Sequence, residues 1–180
     1  MKFNRWHRLK WTIPLILFLT TIIDAVLPAI FPKAFISPGQ IIIPHITLYF
    51  IIVFAFYFRD SNILLYSFIF GLFYDSYNTM ILGLYAAIYF IIAYSVVHTK
   101  KYFPKNSWIL ASFFVISFAL LDLIVYLFYL KFGYTTIGIN TFLASRLAPT
   151  FIFNIVLIIV LYYPTKWVLR QLGYEDYLIF

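Results

Sequence analysis

The sequence predicts an all-α integral membrane protein: one domain of six transmembrane helices, with both termini on the inner side. Three observations carry this reading. First, 64% of the 180 residues are hydrophobic and 11% are charged, with a mean hydropathy of +0.96. A soluble domain carries about 25% charged residues, so the bilayer is the main solvent here. Second, six apolar segments approach the roughly 20 residues that a spanning helix needs. Third, Lys and Arg fall unevenly on the connections between them.

The expected helices cover residues 12–31, 41–58, 62–78, 80–98, 108–130 and 141–163, within a single domain over 1–180. The apolar run after MKFNRWHRLKW is longer than a signal-peptide core, and no small-x-small cleavage site follows, so it reads as a retained first helix. PKAFISPGQ, RDS, KKYFPKN and KFGYTTIGIN are the loops. The segment after Tyr163, PTKWVLRQLGYEDYLIF, is mildly amphipathic and suits the interface.

Placing the N-terminus inside puts Lys2, Arg5, Arg8, Lys10, Arg59, Lys100, Lys101, Lys105, Lys166 and Arg170 inside as well. Outside are Lys33 and Lys131, with Arg146 inside a helix. The positive-inside rule fixes the orientation. Trp6, Trp11, Trp108 and Trp167 all fall at inner ends, where an indole sits at headgroup level. The net charge of +7 is thus a topology and lipid-headgroup signal, and nucleic acid is not an expected partner. With no cysteine, disulfides and thiol chemistry are excluded.

Three acids stand inside helices: Asp24, Asp75 and Asp122. Each lies about 13 or 14 residues from the inner end of its helix, hence roughly 20 Å from the inner face at about 1.5 Å per residue. Arg146 enters from outside and reaches roughly the same level. A charge at this depth must face protein, water or an opposite charge. Two readings stay open: an internal polar cluster that pins the helices, or an outward-facing pocket or docking groove. Arg146 pairs with Asp122 by preference, because the fifth and sixth helices share a short loop, and with Asp75 as second choice.

Small residues mark close approaches. Gly71 lies one turn before Asp75. Gly83 with Ala87, and Ala25 with Ala29, have small-xxx-small spacing. Pro149, near Arg146, frees a backbone carbonyl and can kink the last helix. Asn154 is an expected interhelical hydrogen-bond donor. His7, His45 and His98 are far apart along the chain, and no metal site is suggested. There is no G-x-S-x-G, H-E-x-x-H, Walker A loop or D-x-x-D pair, so neither an enzyme nor a cofactor is expected.

GLFYDSYNTMILGLYAAIYFIIAY, residues 71–94, resembles the central signature of the rod shape-determining MreD family, with Gly71, Asp75, Leu82, Gly83, Leu84 and Tyr94 at matching positions. Ser76, Tyr77 and Asn78 depart from that family's more glycine-rich turn. LLDLIVYLFYL, with Asp122, is similar to the family's fifth helix, IPHITLYFIIVFAFY to its second, and RLAPTFIFNIVLIIVLYYPTK to the last helix of Gram-positive members. The resemblance implies a bacterial cell-membrane scaffold in the machinery of lateral wall elongation. It implies complex formation with MreC, a single-span protein with an extracytoplasmic domain. Through MreC it implies indirect links to the elongation penicillin-binding protein, RodA and MreB. It also implies a fold similar to the six-helix substrate-binding subunits of ECF vitamin transporters, which supplies the alternative function. By depth and spacing, Asp24, Gly71, Asp75, Gly83, Asp122, Arg146 and Pro149 form the candidate partner-binding or structural cluster; with the resemblance added, Asp75 is read as shaping a groove between helices.

Overall fold

The computed structural model describes residues 2–58, 62–79 and 81–173, with side chains from Lys10 onward. The expected turn at Arg59, the side chains of Lys2, Arg5, Trp6, His7 and Arg8, and the end of the chain from Tyr174 lie outside the described residues. The helices are α1 (Lys2–Ile30), α2 (Pro32–Phe35), α3 (Ile46–Tyr57), α4 (Ile63–Asn78), α5 (Leu84–Thr99), α6 (Ser107–Lys131), α7 (Ile139–Phe142) and α8 (Ala148–Gln171). A π-helical turn, Leu143–Leu147, joins α7 to α8. Between α2 and α3, β1 (Ile36–Ser37) and β2 (Gln40–Ile41) make a two-strand antiparallel hairpin, turned by Gly39 at φ +88°.

Among the described residues three helical stretches are long and apolar enough to cross a membrane: Lys10–Ile30, Ser107–Lys131 and Ile139–Gln171. The other three expected crossings form shorter helices. α4 and α5 have 16 residues each, and α3 has 12, which is roughly 18 Å at the α-helical rise. The expected second helix starts five residues late because 41–45 is extended. Pro44 disfavours helix in the residue before it and brings no N–H.

At the other end of the chain the difference runs the opposite way. α8 does not stop at Tyr163 but passes through Pro164 to Gln171. Packing overrides the proline: Val168, Leu169 and Leu172 are buried, and the buried Thr165 donates to the Tyr49 hydroxyl at 3.1 Å. That stretch is part of the bundle.

α3 is the axis of the molecule. Each of its twelve residues is buried, and it packs against α1, α4, α5 and α6. Being apolar on every side, it suits enclosure by other helices. The contacts also sort the helix ends. Asp24 near the end of α1 meets the start of α3, and Lys100 after α5 meets the end of α3. Tyr66 early in α4 reaches the Lys10 carbonyl at 3.5 Å. The start of α1 thus shares one end of the bundle with the start of α4 and the ends of α3 and α5. The hairpin, the π turn and the start of α3 lie at the opposite end.

Candidate functional site

The hairpin end holds all three buried aspartates, and they do different work. Asp24, on α1, accepts from the amides of Ile46 at 2.9 Å and Thr47 at 2.8 Å. These are first-turn donors of α3, which have no partner within their own helix. A carboxylate there also complements the positive end of the helix dipole. The extended segment before α3 is satisfied by α8. Ile43 N donates to Thr150 Oγ1 at 3.1 Å, and His45 N to Asn154 Oδ1 at 3.1 Å. Asn154 Nδ2 returns a bond to the Ile43 carbonyl at 2.9 Å. Ile42 N donates to Phe35 O at 2.8 Å, and Pro44 has no donor. Every backbone donor from Ile42 to Thr47 is thereby accounted for, as a buried segment requires. Asn154 is the expected hydrogen-bond donor; its Nδ2 serves the Ile43 carbonyl of this segment and, within α8, the Thr150 carbonyl at 2.8 Å.

Asp75, near the end of α4, does the same for α5. Its oxygens accept from Gly83 N at 2.9 Å, Tyr85 N at 3.1 and 3.2 Å and Ala86 N at 3.3 Å, with Thr79 Oγ1 at 3.0 Å. The connection turns over residues 79–83, and not at Ser76, Tyr77 and Asn78, which remain helical. Gly83 makes the turn possible at φ +100°, a left-handed conformation that side chains rarely tolerate. Gly71 is the close-approach glycine. A Cβ there would run into the Ala86 Cα, and would lie 2.8 Å from the Ala86 nitrogen. The spacing Gly83–Ala87 is therefore not a packing pair: Gly83 serves the turn, Ala87 is exposed, and Ala86 meets Gly71. Ala29 is exposed too, while Ala25 joins Phe18, Thr21, Ile22, Val26, Phe73 and Tyr77 around an apolar groove of about 220 Å³ between α1 and α4.

Asp122, on α6, touches no backbone amide among the described residues. Its Oδ2 lies 3.5 Å from His45 Nε2, and its Oδ1 lies 3.6 Å from Arg146 Nη2. The carboxylate is fully buried, whereas the arginine side chain is 21% exposed. Arg146 rides on the π turn, and Pro149 follows in the first turn of α8. Pro149 cannot donate to the Ser145 carbonyl, and the π turn is where the helix absorbs that missing bond. Asp122 Oδ1, Arg146 Nε and His45 Nδ1 are buried without hydrogen-bond partners among the described residues.

The four charges set at one level by the sequence are not one ion-paired cluster. Asp24 and Asp75 are helix caps, and Asp122 pairs with Arg146. His45, set aside in the sequence, completes that pair. Its ring stacks on Phe118 with centroids 5.9 Å apart. Chain distance hid it. The local signal was Pro44, which marks the helix start and so brings His45 to the level of Asp122.

Comparison with known proteins adds the family. A profile of the rod shape-determining protein MreD family matches residues 6–172. The chain belongs to the MreD family. It is 21% identical over 166 residues to the rod shape-determining protein MreD of Bacillus subtilis (strain 168), covering 92% of this chain and 96% of that protein. No solved structure matches. Membership supports a role in rod shape determination, in a family not known for enzymatic activity, and the long apolar helices fit a membrane protein. The likeness to ECF substrate-binding subunits finds no support, either as a fold or as the alternative function.

Proposed function

We propose that this MreD-family protein is a non-enzymatic scaffold of the wall-elongation machinery, a single six-helix domain in the bacterial cytoplasmic membrane with both termini inside. It acts by complex formation with MreC, and through MreC on the elongation penicillin-binding protein, RodA and MreB. Family membership over nearly the whole chain is the observation that carries this reading. The alternating helix ends and the basic, tryptophan-bearing inner loops support the topology. In it, α4 and α5 cross a thinner stretch of bilayer, and α3 is enclosed by its neighbours.

Within that reading the hairpin end faces outward. Asp24, Gly71, Asp75, Gly83 and Pro149 hold its shape, and Asp122 with Arg146 offers polar capacity to a partner. Depleting the protein should round the cells and disperse elongation synthesis. In detergent, tagged protein should retain MreC, and Arg146→Gln should retain several-fold less while eluting as the same monodisperse species. Normal rods after depletion, together with no retained MreC, would overturn the proposal.

A further inference from the structure

We propose that His45 and Asp122 form a proton-binding site that governs whether Arg146 is held against the bundle or released toward the outer face. The reading does not depend on which protein the outer face meets.

The geometry carries it. Asp122 presents one oxygen to each of two basic groups, at 3.5 Å to His45 and 3.6 Å to Arg146. Charge-assisted bonds close to about 2.7–2.9 Å, so neither partner holds the carboxylate fully. Among the described residues His45 Nδ1 and Arg146 Nε have no hydrogen-bond partner, and Asp122 Oδ1 has only its long ion-pair contact to Arg146. A half-satisfied buried network is costly, because an unpaired polar group in a low dielectric keeps its desolvation penalty.

The two basic groups differ in freedom. The His45 ring is fully buried and stacked on Phe118, and its backbone amide is fixed by Asn154. Arg146 is partly exposed and sits on a π turn, where the helix is irregular. When the balance changes, the imidazole stays and the guanidinium moves.

The charges give the direction. The charged groups facing His45 are Asp24 from α1 and Asp122 from α6, with Arg146 from the π turn on the far side of Asp122; the phenols of Tyr74 from α4 and Tyr85 from α5 interact with Asp122 and Arg146. Asp122 is the carboxylate that both basic groups address, and a proton on His45 turns one of its two contacts into a full ion pair. Protonated His45 then gives Asp122 a fixed cationic partner, and the hold on Arg146 weakens. Neutral His45 leaves Arg146 as the only cation available to Asp122 among these groups. Imidazole is the side chain that ordinarily changes charge between about pH 5 and 8.

The test uses the full chain in lipid nanodiscs. With His7→Gln and His98→Gln, His45 is the single histidine, and its imidazole nitrogens are followed by ¹⁵N NMR from about pH 8 to about pH 5. A change from the neutral to the protonated pattern is expected, and a signal unaltered across the range would overturn the proposal. In parallel, thermal midpoints of Arg146→Gln are compared with the parent at both pH values. The loss should be at least twice as large at the higher pH, and in a His45→Gln background it should be the same at both. Equal losses with His45 present, or a pH-dependent loss without it, would each overturn the assignment.

Discussion

Asp75 and Asp122 are the same residue type, both fully buried, at the same end of the bundle, yet their surroundings have little in common. Asp75 accepts from three backbone amides and a threonine hydroxyl within eleven residues of itself. Asp122 has two long contacts to side chains from distant parts of the chain. Asp24 belongs with Asp75, since both its oxygens cap a helix start. A buried carboxylate surrounded by amides has its geometry and its role fixed by the backbone. One left between two basic side chains can change partners.

That contrast predicts an order of damage. Asp75→Ala should be the most destabilising of the three aspartate substitutions, because it strands the Gly83, Tyr85 and Ala86 amides at about 1–3 kcal/mol for each buried group left unsatisfied. Asp24→Ala strands two amides and should follow. Asp122→Ala should cost least, since Arg146 can turn to water. Thermal unfolding in detergent ranks them, and Asp122→Ala proving the most damaging would erase the distinction.

The two glycines beside Asp75 sharpen the same comparison. Gly71→Ala pushes a methyl into the Ala86 backbone and should lower stability by about 1–3 kcal/mol, as overpacking does. Gly83→Ala meets no neighbouring atom within 4 Å, so only its left-handed backbone opposes it, at about 1–2 kcal/mol. Paired melts separate them: Gly71→Ala should lose more than Gly83→Ala, and a second-site Ala86→Gly, which keeps the backbone atoms that the methyl meets, should rescue neither.

The smallest effect should come from the opposite end of the molecule. Lys100 Nζ donates to the carbonyls of Ala55 at 2.6 Å and Phe58 at 3.0 Å, so α3 has a carboxylate at its start and an ammonium at its end. Lys100→Met keeps the stem and removes the charge, which should cost about 1 kcal/mol at a helix C-terminus. A loss matching that of Asp24→Ala, read from the same melts, would show that both ends of α3 matter equally.

The difference between these regions also decided what could be read from the sequence. The α4–α5 hairpin is local, and Gly71, Asp75 and Gly83 stand close enough in GLFYDSYNTMILG to signal one another. The long apolar runs of α1, α6 and α8 were equally visible. The start of α3 was not. IIIPHITLYFIIVFAFY is apolar on every side, so hydropathy cannot tell extended chain from helix within it. Its caps come from Asp24, Thr150 and Asn154, up to 111 positions away. No short-range pattern joins those residues, and His45 was missed for the same reason.

The start of α3 also has a consequence for biosynthesis. The central helix is translated long before Thr150 and Asn154, which supply acceptors for the Ile43 and His45 amides. Until α8 is made, those amides lack the acceptors that they have in the folded protein. The nascent chain therefore holds its innermost element in a provisional state, and α8 closes the first half of the bundle. A chain truncated before residue 150 keeps most of its apolar length but lacks these acceptors, so the start of its central helix stays open.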